Sequence, residues 1–168
     1  SDYWLAAPAE GCAPLVYAHH FKNGRFTWPI SHKKPNALKL NQETKKWLMP
    51  RGCYVVTKRF SSKEEHRRLT AFVLESSFLP HDLYGFENHL NVIHADKRGI
   101  PENLAHGVAT YLNSTIADQC FRAFSGHTQV NATDLRSMKY PSRATLERLS
   151  PEEFINLNKL FINLRKLC

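Results

Sequence analysis

The sequence predicts an α+β fold, mainly β over its first two thirds and helical in its last third. Short runs rich in β-branched and aromatic residues, bounded by Gly and Pro, recur up to Ala95. Beyond Pro101 apolar residues recur at helical spacing instead, as Leu104, Val108, Tyr111 and Leu112 do. Clear helix-start signatures fall in that same part, with Asn131 three residues before Asp134 and the run Ser150-Pro-Glu-Glu153. The sheet is expected to be twisted or partly open, with hairpins.

In chain order, residues 14–29 read as two strands joined by a hairpin at Asn23-Gly24, the pair favoured where both turn residues need positive φ. Residues 30–50 are rich in Lys and Asn and read as a long basic loop with one helical turn near Thr44. Residues 52–60 have strand composition, and 61–68 read as a short helix capped by Ser61 and Ser62 with Glu64 and Glu65 in its first turn. Residues 69–74 and 88–95 read as strands, and the segment between them around Pro80 and Gly85 as a connection. Pro101 opens a helix that breaks near Asn113-Ser114, and a second follows through Ile116, Cys120, Phe121 and Phe124. The polar stretch 124–141 reads as a fastener, with Asn131 capping a helix start, and Ser142 begins a further short helix. Phe154, Leu157, Phe161, Leu164 and Cys168 then form about two heptads on a terminal helix. The domain reading is therefore 1–149 as one unit, with 150–168 as an amphipathic helix packed on it or on a neighbouring domain.

A chain of 168 residues with 42% hydrophobic and 11% aromatic content can bury a core. A chain of this size buries roughly 70% of its unfolded surface. No apolar run approaches the ~18 residues of a membrane span, and the N-terminus has no signal-peptide pattern. A cytoplasmic protein without membrane association is the expectation. The sequence begins at Ser1 without Met, so a piece of a longer protein is expected. Its four cysteines lie 41, 67 and 48 positions apart, without zinc or redox spacing, and are expected as free thiols.

Catalytic motifs are missing from the sequence. It has no Gly-x-Gly, no phosphate loop and no adjacent prolines. His19 and His20 would split across a strand, as would His89 and His94, so neither pair forms a ready ligand set. The net charge of +8 lies entirely in residues 31–68, which hold eleven basic side chains against Glu43, Glu64 and Glu65. Such concentration is the footprint of a polyanion partner. Lys33, Lys34, Lys39, Lys45, Lys46, Arg51, Lys58, Arg59, Lys63, Arg67 and Arg68 are the candidate phosphate contacts. Asn36, Asn41 and Gln42, interleaved with them, are candidate base readers, and Thr128 and Gln129 are secondary ones. Two other readings stay open: a metal-dependent nuclease using His89, His94 and Asp96, and an interaction module whose terminal helix docks a partner while the basic block solubilises.

Several blocks together carry a resemblance. They are Pro14-Leu-Val-Tyr17 with His20-Phe21 and Trp28-Pro29, Tyr54-Val-Val-Thr-Lys-Arg-Phe-Ser-Ser-Lys-Glu-Glu65, Gly85-Phe-Glu-Asn-His-Leu-Asn91, Tyr111-Leu-Asn-Ser114 and Gly126-His-Thr-Gln-Val-Asn-Ala-Thr-Asp-Leu135. The chain resembles the C-terminal target recognition domain of adenine-specific DNA methyltransferases of restriction-modification systems, type IIG-like and related to the recognition domains of type I specificity subunits. The resemblance implies a specificity-domain-like fold and a double-stranded DNA partner. It also implies a separate N-terminal methyltransferase domain that binds S-adenosylmethionine and holds the catalytic tetrapeptide. This chain would carry neither the cofactor nor catalytic residues.

Overall fold

The computed structural model describes residues 3–62, 64–126 and 128–149. Lys63, His127 and the terminal heptad segment 150–168 lie outside the described residues. In chain order the elements are β1 (Trp4–Leu5), β2 (Cys12–Val16), a 3-10 turn (Ala18–His20), β3 (Phe21–Lys22), β4 (Arg25–Phe26), β5 (Ala37–Lys39) and a second 3-10 turn (Thr44–Trp47). Then follow β6 (Met49–Pro50), β7 (Tyr54–Lys58), β8 (Ala71–Leu74), β9 (Leu83–Phe86) and β10 (Leu90–Ile93). The helices α1 (Glu102–Leu112), α2 (Thr115–Phe124), α3 (Ala132–Ser137) and α4 (Arg143–Arg148) come last. The fold is α+β, as the sequence predicts, and its sheets are open.

The strands form a five-stranded sheet in the order β1-β5-β2-β9-β6, a three-stranded sheet in the order β10-β7-β8, and the hairpin β3-β4. In the larger sheet Ala13 stands opposite Leu38 antiparallel, while Leu15 stands opposite Gly85 parallel. In the smaller one Val56 pairs with both Phe72 and Val92.

Side-chain alternation along a strand sends neighbours to opposite faces and so builds layers. Val55 of β7 packs with Ala105, Val108, Leu112 and Phe121 of the helices. Its neighbours Tyr54 and Val56 face the other way, into a core shared with Val16, Leu74, Tyr84 and Leu90. Ala13, Leu15 and Tyr17 alternate with Val16 and pack with Leu38 and Leu48 in a third cluster. The order of layers is therefore helices, three-stranded sheet, shared core, five-stranded sheet, and an outer face built on Leu15, Tyr17 and Leu38. Each fully buried Leu, Val or Phe contributes roughly 1.5–3 kcal/mol.

The Asn23-Gly24 hairpin forms with both residues at positive φ, 51° and 73°. Its strands are only two residues each, because the 3-10 turn through His19 and His20 replaces the end of the longer strand expected from residue 14. Three expectations are corrected. Residues 30–50 are not one loop, since Ala37–Lys39 is a strand paired on both sides, with β1 and β2. The connection around Gly85 is the strand β9, paired with β2 and β6. The described residues of 61–68 form a turn and bends rather than a helix, and the end of the segment is tied instead to α2, where Asp118 accepts the backbone N–H groups of Arg68 and Leu69 at 2.6 and 2.8 Å.

Residues 128–131 fasten the helical layer to the sheet. Val130 N donates to Arg59 O at 2.7 Å, Ser61 N to Thr128 O at 3.2 Å, and Asn91 Nδ2 to Val130 O at 2.8 Å. Asn131 and Asp134 close a reciprocal capping box at the start of α3, and Ser142 caps α4 by accepting from Thr145 N.

Candidate nucleic-acid interface

The outer face of the five-stranded sheet opens into a cleft of about 870 Å³. Leu15, Leu38 and Gly85 line it from the sheet, and Trp4, Tyr17, Trp47 and Phe86 give it aromatic surface. Lys33, Lys34, Glu87, Asn88 and His89 supply its polar groups. Gly85 is required for this face. A Cβ there would come within 3.0 Å of Leu38 Cδ1 and 3.2 Å of Leu15 Cδ1 and Leu48 Cδ2, so glycine lets the leucines close over β9.

Local polar bonds hold each wall. Asn41 Oδ1 accepts from Glu43 N at 2.9 Å and Thr44 N at 2.8 Å, and Thr44 Oγ1 donates to Lys39 O at 2.7 Å. These bonds set the 3-10 turn that presents Lys45, Lys46 and Trp47. Trp47, 51% exposed, meets the Tyr3 ring edge-on at 6.1 Å. Tyr3 in turn donates to Glu43 Oε2 at 2.6 Å, a bond that raises the phenol's pKa.

Tyr17 stacks on His19 at 4.8 Å, and His19 stacks on His32 at 4.5 Å. Lys34 Nζ lies 5.0 Å from the Tyr17 ring centre, a cation-π contact. Burial, with Glu87 nearby, pushes the Tyr17 hydroxyl up to about 12, so it stays protonated. Burial lowers the His19 pKa, and His32, Lys34 and Lys22 lower it further. A smaller hollow of about 390 Å³ shares Tyr17, Lys34, Glu87 and His89 with the cleft and adds Lys22 and Lys58.

The cations predicted from sequence divide sharply. Lys33 and Lys34 line the cleft and Lys58 the hollow. Lys39, Lys45 and Lys46 are exposed. Lys33 and Lys34 are exposed as well, and among the described residues Lys33, Lys34, Lys39, Lys45 and Lys46 make no ion pair. Arg51 donates to Ser76 O at 3.0 Å, Arg59 to Asn88 O at 3.4 Å, and Arg67 to Asn113 O. Arg68 is withdrawn altogether. It is 1% exposed, donates from Nε to Ser61 Oγ at 2.9 Å and lies 5.4 Å over the Phe121 ring.

The candidate readers divide as well. Asn36 is 4% exposed and holds the fold by donating to Ala6 O at 2.9 Å and Ile30 O at 2.8 Å while accepting from Ile30 N at 3.1 Å. Asn41 is engaged in its turn, as above. Gln42 and Thr128 are exposed, and Gln129 is half-buried in a bridge to Phe60. Sequence reasoning missed Trp4, Tyr17, Trp47, Phe86 and Glu87 as site residues: Tyr17, Phe86 and Glu87 fall in blocks that carry the resemblance, but nothing along the chain links them to one another or to Trp4 and Trp47. Trp47 directly after Lys45 and Lys46 was the available signal.

The proposed nuclease set is not assembled. His89 Nδ1 pairs with Glu87 Oε1 at 2.8 Å, and His94 Nδ1 accepts from Lys97 N at 3.0 Å. Among the described residues, the one group whose possible ligand atoms lie within 4.8 Å of one another is Glu75, Glu102 and His106, next to the helices. Cys12, Cys53 and Cys120 are free thiols. No helix among the described residues is long and apolar enough to cross a membrane.

Two curated proteins resemble this chain. It is 54% identical over 139 residues to the Type II methyltransferase M.BsuBI of Bacillus subtilis, covering 83% of this chain and 28% of that protein. It is 43% identical over 138 residues to the Type II methyltransferase M.PstI of Providencia stuartii, covering 82% of this chain and 27% of that protein. The chain thus spans about a quarter of the length of these relatives. No family model matches it, and no solved structure does.

Proposed function

We propose that this chain is the sequence-specific, double-stranded DNA recognition domain of an N6-adenine-specific DNA methyltransferase in a restriction-modification system. The observation that carries this reading is the outer face. Lys33 and Lys34 line an aromatic cleft and Lys45 and Lys46 precede its Trp47, all four without intramolecular ion pairs among the described residues, on a chain that matches one part of two Type II methyltransferases.

Lysines in this state attract phosphates and release counterions on binding. In this reading Gln42, Thr128 and the cleft's own polar groups serve as readers of base edges, which carry the sequence information. Methyl transfer belongs to another part of the parent protein. This chain has neither the glycine motif that would hold S-adenosylmethionine nor a proline pair to position the target amino group. The catalytic domain is therefore its second partner, and recognition by this domain helps the target adenine leave the stack.

The reading is tested by titrating the 168-residue chain with a duplex carrying the parent enzyme's target site and with a scrambled duplex. Binding to both at low salt, tighter for the target, is the expected result. Failure to bind either one sinks the reading.

A further inference from the structure

The cleft holds more aromatic surface than a phosphate-binding face requires. Phosphates are held by cations and N–H donors, and duplex base edges are read by polar side chains in a groove. Neither task needs an indole face. Yet Trp4 and Trp47 line this cleft at 45% and 51% exposure, together with Tyr17 and Phe86. A flat aromatic surface beside a cation suits the face of a base, and a base shows its face only when it has left the stack.

Glu87 narrows the choice of base. Glu87 lines both the cleft and the adjoining hollow, in company with Lys34. It is held in place because Oε1 pairs with His89 Nδ1 at 2.8 Å and Oε2 accepts from His89 N at 3.1 Å. An ionised carboxylate offers about four lone-pair sites, so acceptor capacity remains after these two bonds. A carboxylate repels phosphate but accepts from an exocyclic amino group, as acidic side chains do at cytosine N4. Lys33 and Lys34, lining the same cleft, supply the positive charge for the phosphates on either side of the base.

We infer that this cleft is a subsite for one unstacked DNA base bearing an exocyclic amino group. The base stacks on the aromatic lining, its amino group donates to Glu87, and its flanking phosphates meet Lys33 and Lys34. This rests on the DNA-recognition reading and adds a second nucleotide-binding feature to it, separate from catalysis.

Three duplexes of one sequence test it by fluorescence anisotropy with the 168-residue chain: fully paired, with a single bulged adenine, and with a single bulged thymine. The bulged-adenine duplex is expected to bind on the order of tenfold tighter than the paired one, the scale of one base-aromatic stack. It should also bind several-fold tighter than the bulged-thymine duplex. The bulged-to-paired ratio should fall toward one in Trp47→Ala and persist in Trp47→Phe. Glu87→Gln should remove the preference for adenine over thymine. Trp47 is half exposed, so its truncation leaves the fold in place, and circular dichroism verifies this. Equal binding of paired and bulged duplexes, or a ratio that survives Trp47→Ala, overturns this inference alone. Absence of binding to every duplex overturns the DNA-recognition reading along with it.

Discussion

Arg68 and Lys34 carry the same charge and come from the same basic block, yet they occupy opposite layers under opposite conditions. Arg68 is sealed against the helices, with Ser61 at its guanidinium, Phe121 beneath it and Asp118 on its backbone. Lys34 stands exposed at the cleft, with its ammonium over the Tyr17 ring. The difference is what surrounds the charge. Asp118 projects from α2 to anchor the backbone of residues 68 and 69 and also binds Arg122 Nε at 2.8 Å, whereas on the outer face Glu43 is held by Tyr3 and Glu87 by His89, and neither makes an ion pair with Lys33, Lys34, Lys45 or Lys46 among the described residues. Charge next to the helices holds the fold together, and charge on the outer face remains available to a ligand.

Breaking the helical network should have the largest effect. Burial raises the Asp118 pKa, but the Arg122 side chain and the backbone N–H groups of Leu69 and Arg68 outweigh it and hold the carboxyl below its usual range. Asp118→Ala leaves these donors stranded. It should cost about 3–5 kcal/mol in urea unfolding, with duplex affinity retained wherever the variant is folded.

Acid should come next. His20 is buried, and its Nδ1 accepts from Tyr17 N at 3.0 Å, which only a neutral ring can do. Burial, with His19 second, holds its pKa down at about 4, below the ~6.5 of an unfolded histidine. Its contribution is therefore complete above pH ~6.5 and lost as the pH falls toward the folded value, on the order of 3 kcal/mol from this group. Unfolding free energies measured across that window should show the slope in the wild type and a flatter profile in His20→Gln.

A smaller effect is expected where the fastener meets the helices. Asn131→Ala opens the capping box of α3 and should cost about 1 kcal/mol by thermal or urea unfolding. Little change in affinity is expected, since Asn131 faces the helix start rather than the cleft. A large loss of affinity with stability intact would return this stretch to the binding surface.

The parts of this comparison that could be read in the sequence are those set by neighbours along the chain. Asn23-Gly24, the Asn131–Asp134 box, the Ser142 cap and the breaks near Pro101 and Asn113 all act within a few residues, and each appears where expected. Apart from the 3-10 turn at His19 and His20, closed locally by Tyr17 N and His20 Nδ1, the failures are long-range. Ala37–Lys39 is too short and too polar around it to read as a strand, and becomes one because β1 and β2 clasp it on both sides. Gly85 looks like a turn residue but sits in a strand because the leucines of the outer sheet need the room. The block's charge was legible as a total, but its division between Arg68 and Lys34 depends on α2, whose Asp118 anchors the Arg68 backbone from fifty residues away and whose Phe121 lies beneath its guanidinium. The cleft has the same origin, since Trp4, Tyr17, Trp47 and Glu87 meet only after the sheet is assembled.

Under the proposed function, the exposed lysines of the outer face bind phosphate and contribute little to the fold. Replacing Lys33, Lys34, Lys45 and Lys46 together with Glu should leave stability within about 0.5 kcal/mol per site, as for other surface changes. The most direct measurement is the salt dependence of duplex affinity for this variant beside the wild type. Each phosphate contact contributes about −0.9 to the slope of log K against log salt, so the slope should weaken by about 3 to 4, with affinity falling more than tenfold at low salt. An unchanged slope and undiminished affinity in a folded variant would contradict the claim.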